Sequence, residues 1–311
     1  MRVFIAGATG VIGRQLVPLL VREGHAVTGM TRSPAKAEWL RAVGAAAKLV
    51  DVYDGAALTE AMAAAAPEAV LHLLTALPPR LDMKDDQVFA ATNRVRTEGT
   101  RRLLAAARAA GARRFIAESI AFLTAPEGPR VLDETAPPYP QAPAPFGAAV
   151  AAALDLERQV TTADGIEGIV LRYGALYGPG TAYAGDGSTA AEVRKRRFPI
   201  VGSGAGVFSF LHVADAASIT ARALTQGAPG IYNAVDDEPA ALREWLPVYA
   251  HALGAPTPLA VPRAVARLLA GEVAVYFTTA QRGASNAKAK GALGWEPRYA
   301  SWREGFAAAL G

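Results

Sequence analysis

The chain contains no cysteine among its 311 residues, which excludes disulfides and cysteine-ligated metals. Its four histidines are scattered. His212 and Asp215 lie three apart at an expected helix start, where an acidic side chain serves the helix dipole. Neither a metal site nor a nucleophile triad is therefore expected. No apolar run approaches the ~18 residues that a membrane span needs. The chain opens on a strand pattern at residue 2 with no charged, apolar, small-residue leader. A cytoplasmic protein with no membrane partner follows as the expectation. Charged residues are scarce, at 19% against 51% hydrophobic, so a packed globular chain is expected. Basic residues exceed acidic ones by four and the pI is near 9.4. The only tight basic run is Arg194-Lys-Arg-Arg197, which reads as a solvated surface and not a nucleic-acid face. One more absence depends on the fold for its meaning: no tyrosine is followed four residues later by a lysine.

What is present is a regular alternation of strands and helices. Strands are expected over Arg2–Ala6, Ala26–Met30, Ala47–Val50, Ala69–Leu74, Arg114–Glu118 and Gly168–Arg172. Helices are expected over Val11–Glu23, Ala35–Ala42, Ala56–Ala65, Asp86–Ala110 and Phe146–Ala163. This pattern gives an α/β class, a Rossmann-type doubly wound parallel sheet. Pro126–Pro145 is too irregular for a helix and reads as a loop on the active-site side. After residue 175 the pattern loosens. Short elements over Arg194–Phe210, Arg263–Thr279 and the turns around Gly294-Trp295 are expected to form a cap. The expected division is residues 1–175 as a mainly NADP-binding domain. Residues 176–311 would be mainly a substrate-binding cap, with segments returning to the core.

The first turn carries the chemistry. Gly7-Ala-Thr9-Gly10-Val11-Ile12-Gly13 follows a strand and opens a helix. Gly7 allows the tight turn, Gly10 lets the backbone approach a pyrophosphate, and Gly13 allows close helix–strand packing. The end of the second strand selects the cofactor. It reads Thr31-Arg32-Ser33-Pro34-Ala35-Lys36 and has no acid to hold a ribose hydroxyl. Arg32 offers a planar fork for a 2′-phosphate, with Ser33 and Lys36 beside it, so NADP(H) is favoured over NAD(H). Asp51 and Val52 are placed to contact the adenine.

Later segments match one family in order. They are Asn93-Arg-Val-Arg-Thr-Glu-Gly-Thr100, Leu171-Arg-Tyr173-Gly174-Ala-Leu-Tyr177-Gly-Pro-Gly180, Phe210-Leu-His-Val-Ala-Asp215, Tyr232-Asn233 and Leu293-Gly-Trp-Glu-Pro297. The chain resembles the extended short-chain dehydrogenase/reductases, the sugar-nucleotide epimerase and dehydratase group. The resemblance implies a seven-stranded sheet. It also implies cofactor contacts from Leu74, Thr75, Ala76 and Asn93, and from Tyr173 and Gly174 near the nicotinamide. It implies a Ser or Thr after the fifth strand, which Ser119 matches, and then Tyr and Lys on the next helix. Those two positions hold Phe146 and Val150. A phenyl ring has no proton to give.

The family mechanism therefore does not transfer, and epimerisation loses its base. Hydride transfer remains open, with Ser119, Tyr173 and Tyr177 as candidate donors or with the substrate assisting itself. Tyrosine-less angucyclinone ketoreductases are similar in this respect. The expected activity is NADP(H)-dependent reduction of a bulky hydrophobic or aromatic, polyketide-like ketone of secondary metabolism. The alternatives are a non-redox cyclase or isomerase, and an inactive NADP-sensing regulator. The expected partner is a small-molecule substrate, and the chain is expected to be a monomer or homodimer.

Overall fold

The structure is a computed structural model that describes residues 1–78 and 82–310. Seven strands form one sheet: β1 (Arg2–Ala6), β2 (Ala26–Thr31), β3 (Ala46–Leu49), β4 (Ala69–His72), β5 (Arg114–Ile120), β6 (Glu167–Tyr173) and β7 (Gly230–Ala234). Their spatial order is β7-β6-β5-β4-β1-β2-β3. Every pairing is parallel. The order reverses between β1 and β4, and a doubly wound sheet opens its ligand crevice at such a point, at the carboxyl ends of the strands.

Around the sheet lie α1 (Val11–Arg22), α2 (Pro34–Ala42), α3 (Gly55–Ala65), α4 (Ala90–Arg94), α5 (Thr100–Ala109) and α6 (Phe146–Thr161). Then come α7 (Ser188–Arg194), α8 (Val213–Ala223), α9 (Leu242–Ala252), α10 (Arg263–Thr279), α11 (Ala287–Leu293) and α12 (Trp302–Leu310). Alternation along the strands divides the core into two layers. Val3 and Ile5 of β1 pack with α1 and α8 through Leu16, Leu20 and Ile219. Phe4 and Ala6 face the other way, onto α3, α5 and α6 through Met62, Leu103 and Leu156.

Three local expectations are corrected. The single helix expected over Asp86–Ala110 is broken by a π-turn at Val95–Gly99 between α4 and α5. Back-bonding of Thr97 to Asn93 O and of Thr100 to Arg96 O accompanies that turn. The fourth strand stops at His72 and not at Leu74, because His72 Nδ1 accepts the Leu74 N–H at 3.3 Å and turns the chain. Over Arg263–Thr279, where short elements are expected, helix α10 is interrupted at Gly271, whose φ of 86° and ψ of 174° no helix contains. Leu293 and Trp295 join the main-sheet core instead of the cap, and the indole N–H of Trp295 donates to Ser218 Oγ at 2.8 Å. The remaining C-terminal elements build their own aromatic core from Tyr177, Phe210, Trp245, Tyr249, Trp302 and Phe306.

Candidate active site

The cleft at the β1–β4 reversal has a volume of about 590 Å³ and is lined by Gly7, Thr9, Gly10, Arg32, Ser33 and Lys36 on one side. Asp51, Val52, Leu74, Thr75 and Ala76 complete it among the expected residues. Sequence reading missed Tyr53 and Arg94, which also line it. The Arg94 guanidinium lies 3.9 Å from the Tyr53 ring centre and is held by Glu98 four residues on, at 2.8 Å. That Arg/Glu spacing was the available signal.

The residues present fit a dinucleotide. Gly10 caps α1 with no side-chain hydrogen bond, so the first N–H groups of the helix stay free for an anion. Gly7 has φ +94°, and a Cβ there would sit 2.5 Å from Leu73 O. A Cβ on Gly13 would collide with Ala8 O, so Gly13 serves close packing. The side chains of Val11 and Ile12 do not line the cleft, and their N–H groups are among those the uncapped helix start leaves free. Arg32 is largely exposed and reaches Asp51 at 3.6 Å. Ser33 Oγ caps α2 by accepting the Lys36 N–H. Asn93 does not line the cleft, and its Oδ1 is buried without a partner.

Beneath the cleft is a neutral histidine. Burial first, and the nearby Arg96 second, push the His72 imidazole down to about 3. Because Thr100 donates to Arg96 O, His72 Nε2 donates to Thr100 Oγ1 at 3.0 Å and keeps Nδ1 free to accept from Leu74. The neutral ring thus fixes a cleft-lining backbone.

None of the three expected hydroxyl donors lines the cleft, and two are bonded elsewhere. Ser119 is fully buried and donates to Glu157 Oε1 at 2.7 Å. Arg172 clamps the same carboxylate with bonds of 2.7 and 2.6 Å. A lone acid on the buried face of α6 and a lone base in a buried strand were the signals for this pair. Tyr173 points into the α8 layer, 2.6 Å from Thr220 Oγ1. Burial raises its hydroxyl far above the usual range. Tyr177 is buried in the C-terminal aromatic core, with its hydroxyl against Gly305. The Tyr177 hydroxyl has no hydrogen-bond partner among the described residues. Gly174 lies under Ser209 O. Neither tyrosine nor Gly174 lines the cleft.

Phe146 opens α6 and is almost fully buried. Its ring packs edge-on to Phe277 at 4.7 Å, and Tyr276 and Phe122 follow at 6.0 and 6.3 Å. Tyr139 joins through Tyr276. Val150, one turn on, is fully buried in the same cluster. Phe122 follows β5, so the cluster stands at the carboxyl edge of the sheet. At the start of α6 Phe146 and Val150 themselves offer only hydrocarbon; of the cluster's two tyrosines, Tyr276 donates its hydroxyl to Thr124 O. Among the described residues no group of His, Asp or Glu is arranged to hold a metal. No helix among them is long and apolar enough to cross a membrane.

A model of the NAD dependent epimerase/dehydratase family matches residues 3–234, from within β1 to the end of β7. The chain belongs to that family. It is 50% identical over 310 residues to a 3-diazoavenalumate denitrifying reductase of a Streptomyces species, covering 98% of this chain and 99% of that protein. A ketoreductase of Stigmatella aurantiaca that acts on a 4-hydroxy-2-methyl-3-oxo-4-farnesyl-3,4-dihydroquinoline-1-oxide is 29% identical over 250 residues, 79% of this chain and 71% of that one. Among solved structures, the UDP-glucose 4-epimerase of Thermus thermophilus in complex with NAD superposes with a TM-score of 0.72. It is 25% identical, over all of this chain and 98% of that one. A reductase and a ketoreductase therefore both support a reductase of this superfamily.

Proposed function

We propose that the protein is an NADP(H)-dependent reductase that replaces a diazo group on an aromatic acid with hydrogen. The full-length 50% identity to the diazoavenalumate reductase carries this reading. The chemistry of the α6 start supports it. Reduction of a ketone generates an alkoxide, which needs a proton or a hydrogen bond. Reduction of an aryl diazonium does not. Bound NADPH supplies the hydride. At the ring carbon a C–H bond forms, the C–N bond breaks, and its electron pair leaves with N₂. No alkoxide appears, so Phe146 and Val150 lack nothing the reaction requires. Removal of the ammonium also removes a charge that would repel a cationic substrate.

In this reading the uncapped α1 N-terminus and Gly10 hold the pyrophosphate. Arg32, Ser33 and Lys36 hold the 2′-phosphate, and Leu74 to Ala76 flank the hydride end. The aromatic cluster excludes water and presents ring surface to a planar substrate.

The test uses NADPH deuterated at C4 with 3-diazoavenalumate. Expected are one N₂ per NADPH oxidised and one deuterium on the ring carbon that carried nitrogen. Oxidation of NADPH without loss of N₂ would sink the diazo reading. The second reading is ketone reduction, favoured by the 29% identity to the Stigmatella aurantiaca enzyme. A panel of aromatic ketones assayed alongside separates the two. Conversion with no net NADPH loss would indicate a cyclase or isomerase. Binding of NADPH with no conversion of any compound would indicate a regulator.

A further inference from the structure

Three residues beyond α10, Arg282 stands outside the cofactor cleft and, among the described residues, has no ion pair. Its Nη2 donates to Pro126 O at 3.1 Å, and its Nε is buried with no acceptor. No carboxylate pairs with it among the described residues. Other sheltered arginines are matched to acids: Arg172 to Glu157, Arg96 to Glu118, and Arg102 to Glu98. Arg130, which accepts the Gly283 N–H through its backbone, is itself held by both oxygens of Glu244. A buried donor without a partner costs roughly 1–3 kcal/mol, so an Arg kept in this state is suited to a partner from outside the chain.

Its surroundings specify that partner. Pro126 lies beyond Phe122 on the segment leaving the carboxyl end of β5, the edge where open α/β sheets bind ligands. Tyr276 OH donates to Thr124 O at 3.1 Å on the same segment. Burial and Tyr139 push the Tyr276 hydroxyl up, and the Arg282 guanidinium is near enough to oppose them. A guanidinium fork thus borders a cluster of five aromatic rings. A planar molecule with one anionic end suits both features: the ring surfaces take its body and the fork takes its carboxylate in two parallel bonds.

We infer that Arg282 is the anchor for the carboxylate of a planar aromatic acid. The inference deepens the proposed function by assigning a residue to the acid end of the substrate. Its test does not depend on diazo chemistry, because it reads binding of an unreactive probe. Cinnamate and methyl cinnamate are titrated calorimetrically into the NADPH-loaded protein. The wild type is expected to bind the acid about 30-fold more tightly than the ester, equivalent to ~2 kcal/mol at about 1.4 kcal/mol per tenfold. Arg282→Gln should reduce that preference to about one by weakening the acid alone. Arg282→Lys, which keeps the charge and loses the fork, should retain part of it. Thermal melting of each variant reports its folding. Three results overturn the inference: no acid preference in the wild type, no binding of cinnamate at all, or equal weakening of acid and ester in Arg282→Gln. If Arg282→Gln does not fold, full retention of the acid preference by Arg282→Lys overturns the bidentate clamp, and partial loss supports it. Failure of diazo reduction with the acid preference intact would remove the reaction and leave the anchor.

Discussion

The cofactor cleft and the aromatic cluster around Phe146 border the same sheet edge but are built in opposite ways. The cleft is made by backbone: a glycine turn, an uncapped helix and strand ends, with charged side chains at its rim. The cluster is made by side chains alone, delivered by the segment after β5, the start of α6 and the end of α10. One region is held open to receive charge, and the other is packed to exclude it. The family scaffold is retained where its chemistry is generic to the cofactor. At the start of α6, where the resemblance would put a proton donor, Phe146 and Val150 are hydrocarbon. Under the proposed diazo reduction the hydride acceptor develops no oxyanion, so the second region has no proton to supply.

The largest expected effects come from exchanging the two characters. Val150→Lys places an ammonium in the packed cluster, where Val150 is fully buried. Nothing in the cluster is acidic, so the expected loss is roughly 3–5 kcal/mol of stability, measured by denaturant unfolding. An unchanged midpoint would mean that water already reaches the cluster. Gly7→Ala strikes the other region: φ of +94° and a contact of 2.5 Å to Leu73 O leave the new methyl no room. NADPH binding should fall at least about 100-fold, equivalent to ~2.7 kcal/mol, by fluorescence titration, while the aromatic cluster keeps its near-UV dichroism.

These differences also explain what could be read from the chain. Gly7, Gly10 and Gly13 announce the cleft because a phosphate turn is local, and its spacing is its geometry. Arg32, Ser33 and Lys36 follow for the same reason. Ser119 was legible by position but not by partner, since Glu157 and Arg172 reach it only after α6 folds back on β5 and β6. Tyr173 and Tyr177 stood in recognisable motifs, yet a motif does not state which face of a strand is buried. The cluster joins Phe122 and Phe146 to Tyr276 and Phe277 across about half of the chain's length. No periodicity links them.

Acid should act on the cleft before the cluster. His72 is neutral when folded, at about 3 against an ordinary value of 6.5. Its folded value is depressed, so the unfolded chain binds the extra proton between these limits. Stability is then fully present above pH 6.5 and is lost as pH falls toward 3. At a pH near 4.5 the loss amounts to about 2–3 kcal/mol. Burial pushes Glu118 up, and that carboxyl titrates in the opposite sense. The decisive comparison is therefore with His72→Gln, whose stability should slope less steeply over this window. Equal slopes would show that His72 is not the group responsible.

Arg32→Ala should have a smaller effect, confined to one cofactor. Removing a largely exposed fork from the cleft rim is expected to raise KM for NADPH about 10-fold, ~1.4 kcal/mol, and to leave NADH nearly unaffected. An unchanged NADPH preference would mean that Lys36 and the α2 N-terminus suffice for the 2′-phosphate.

The smallest expected effect is the most discriminating. Phe146→Tyr introduces the hydroxyl that the resemblance implies at this helix start, into a site only 2% exposed. Burying it without a partner should cost ~1–3 kcal/mol of stability. Its effect on turnover depends on what the substrate becomes. If hydride displaces N₂ from a ring carbon, no oxyanion forms and the hydroxyl has nothing to protonate, so kcat should stay within about twofold of the wild type. If a ketone is the acceptor, the same hydroxyl stands where an alkoxide develops, and general-acid assistance of the order of 10²-fold becomes available. A large rise in kcat on Phe146→Tyr would therefore move the protein to the ketoreductases. A flat response with deuterium on the ring carbon would tie the hydrocarbon character of the α6 start to the reaction itself.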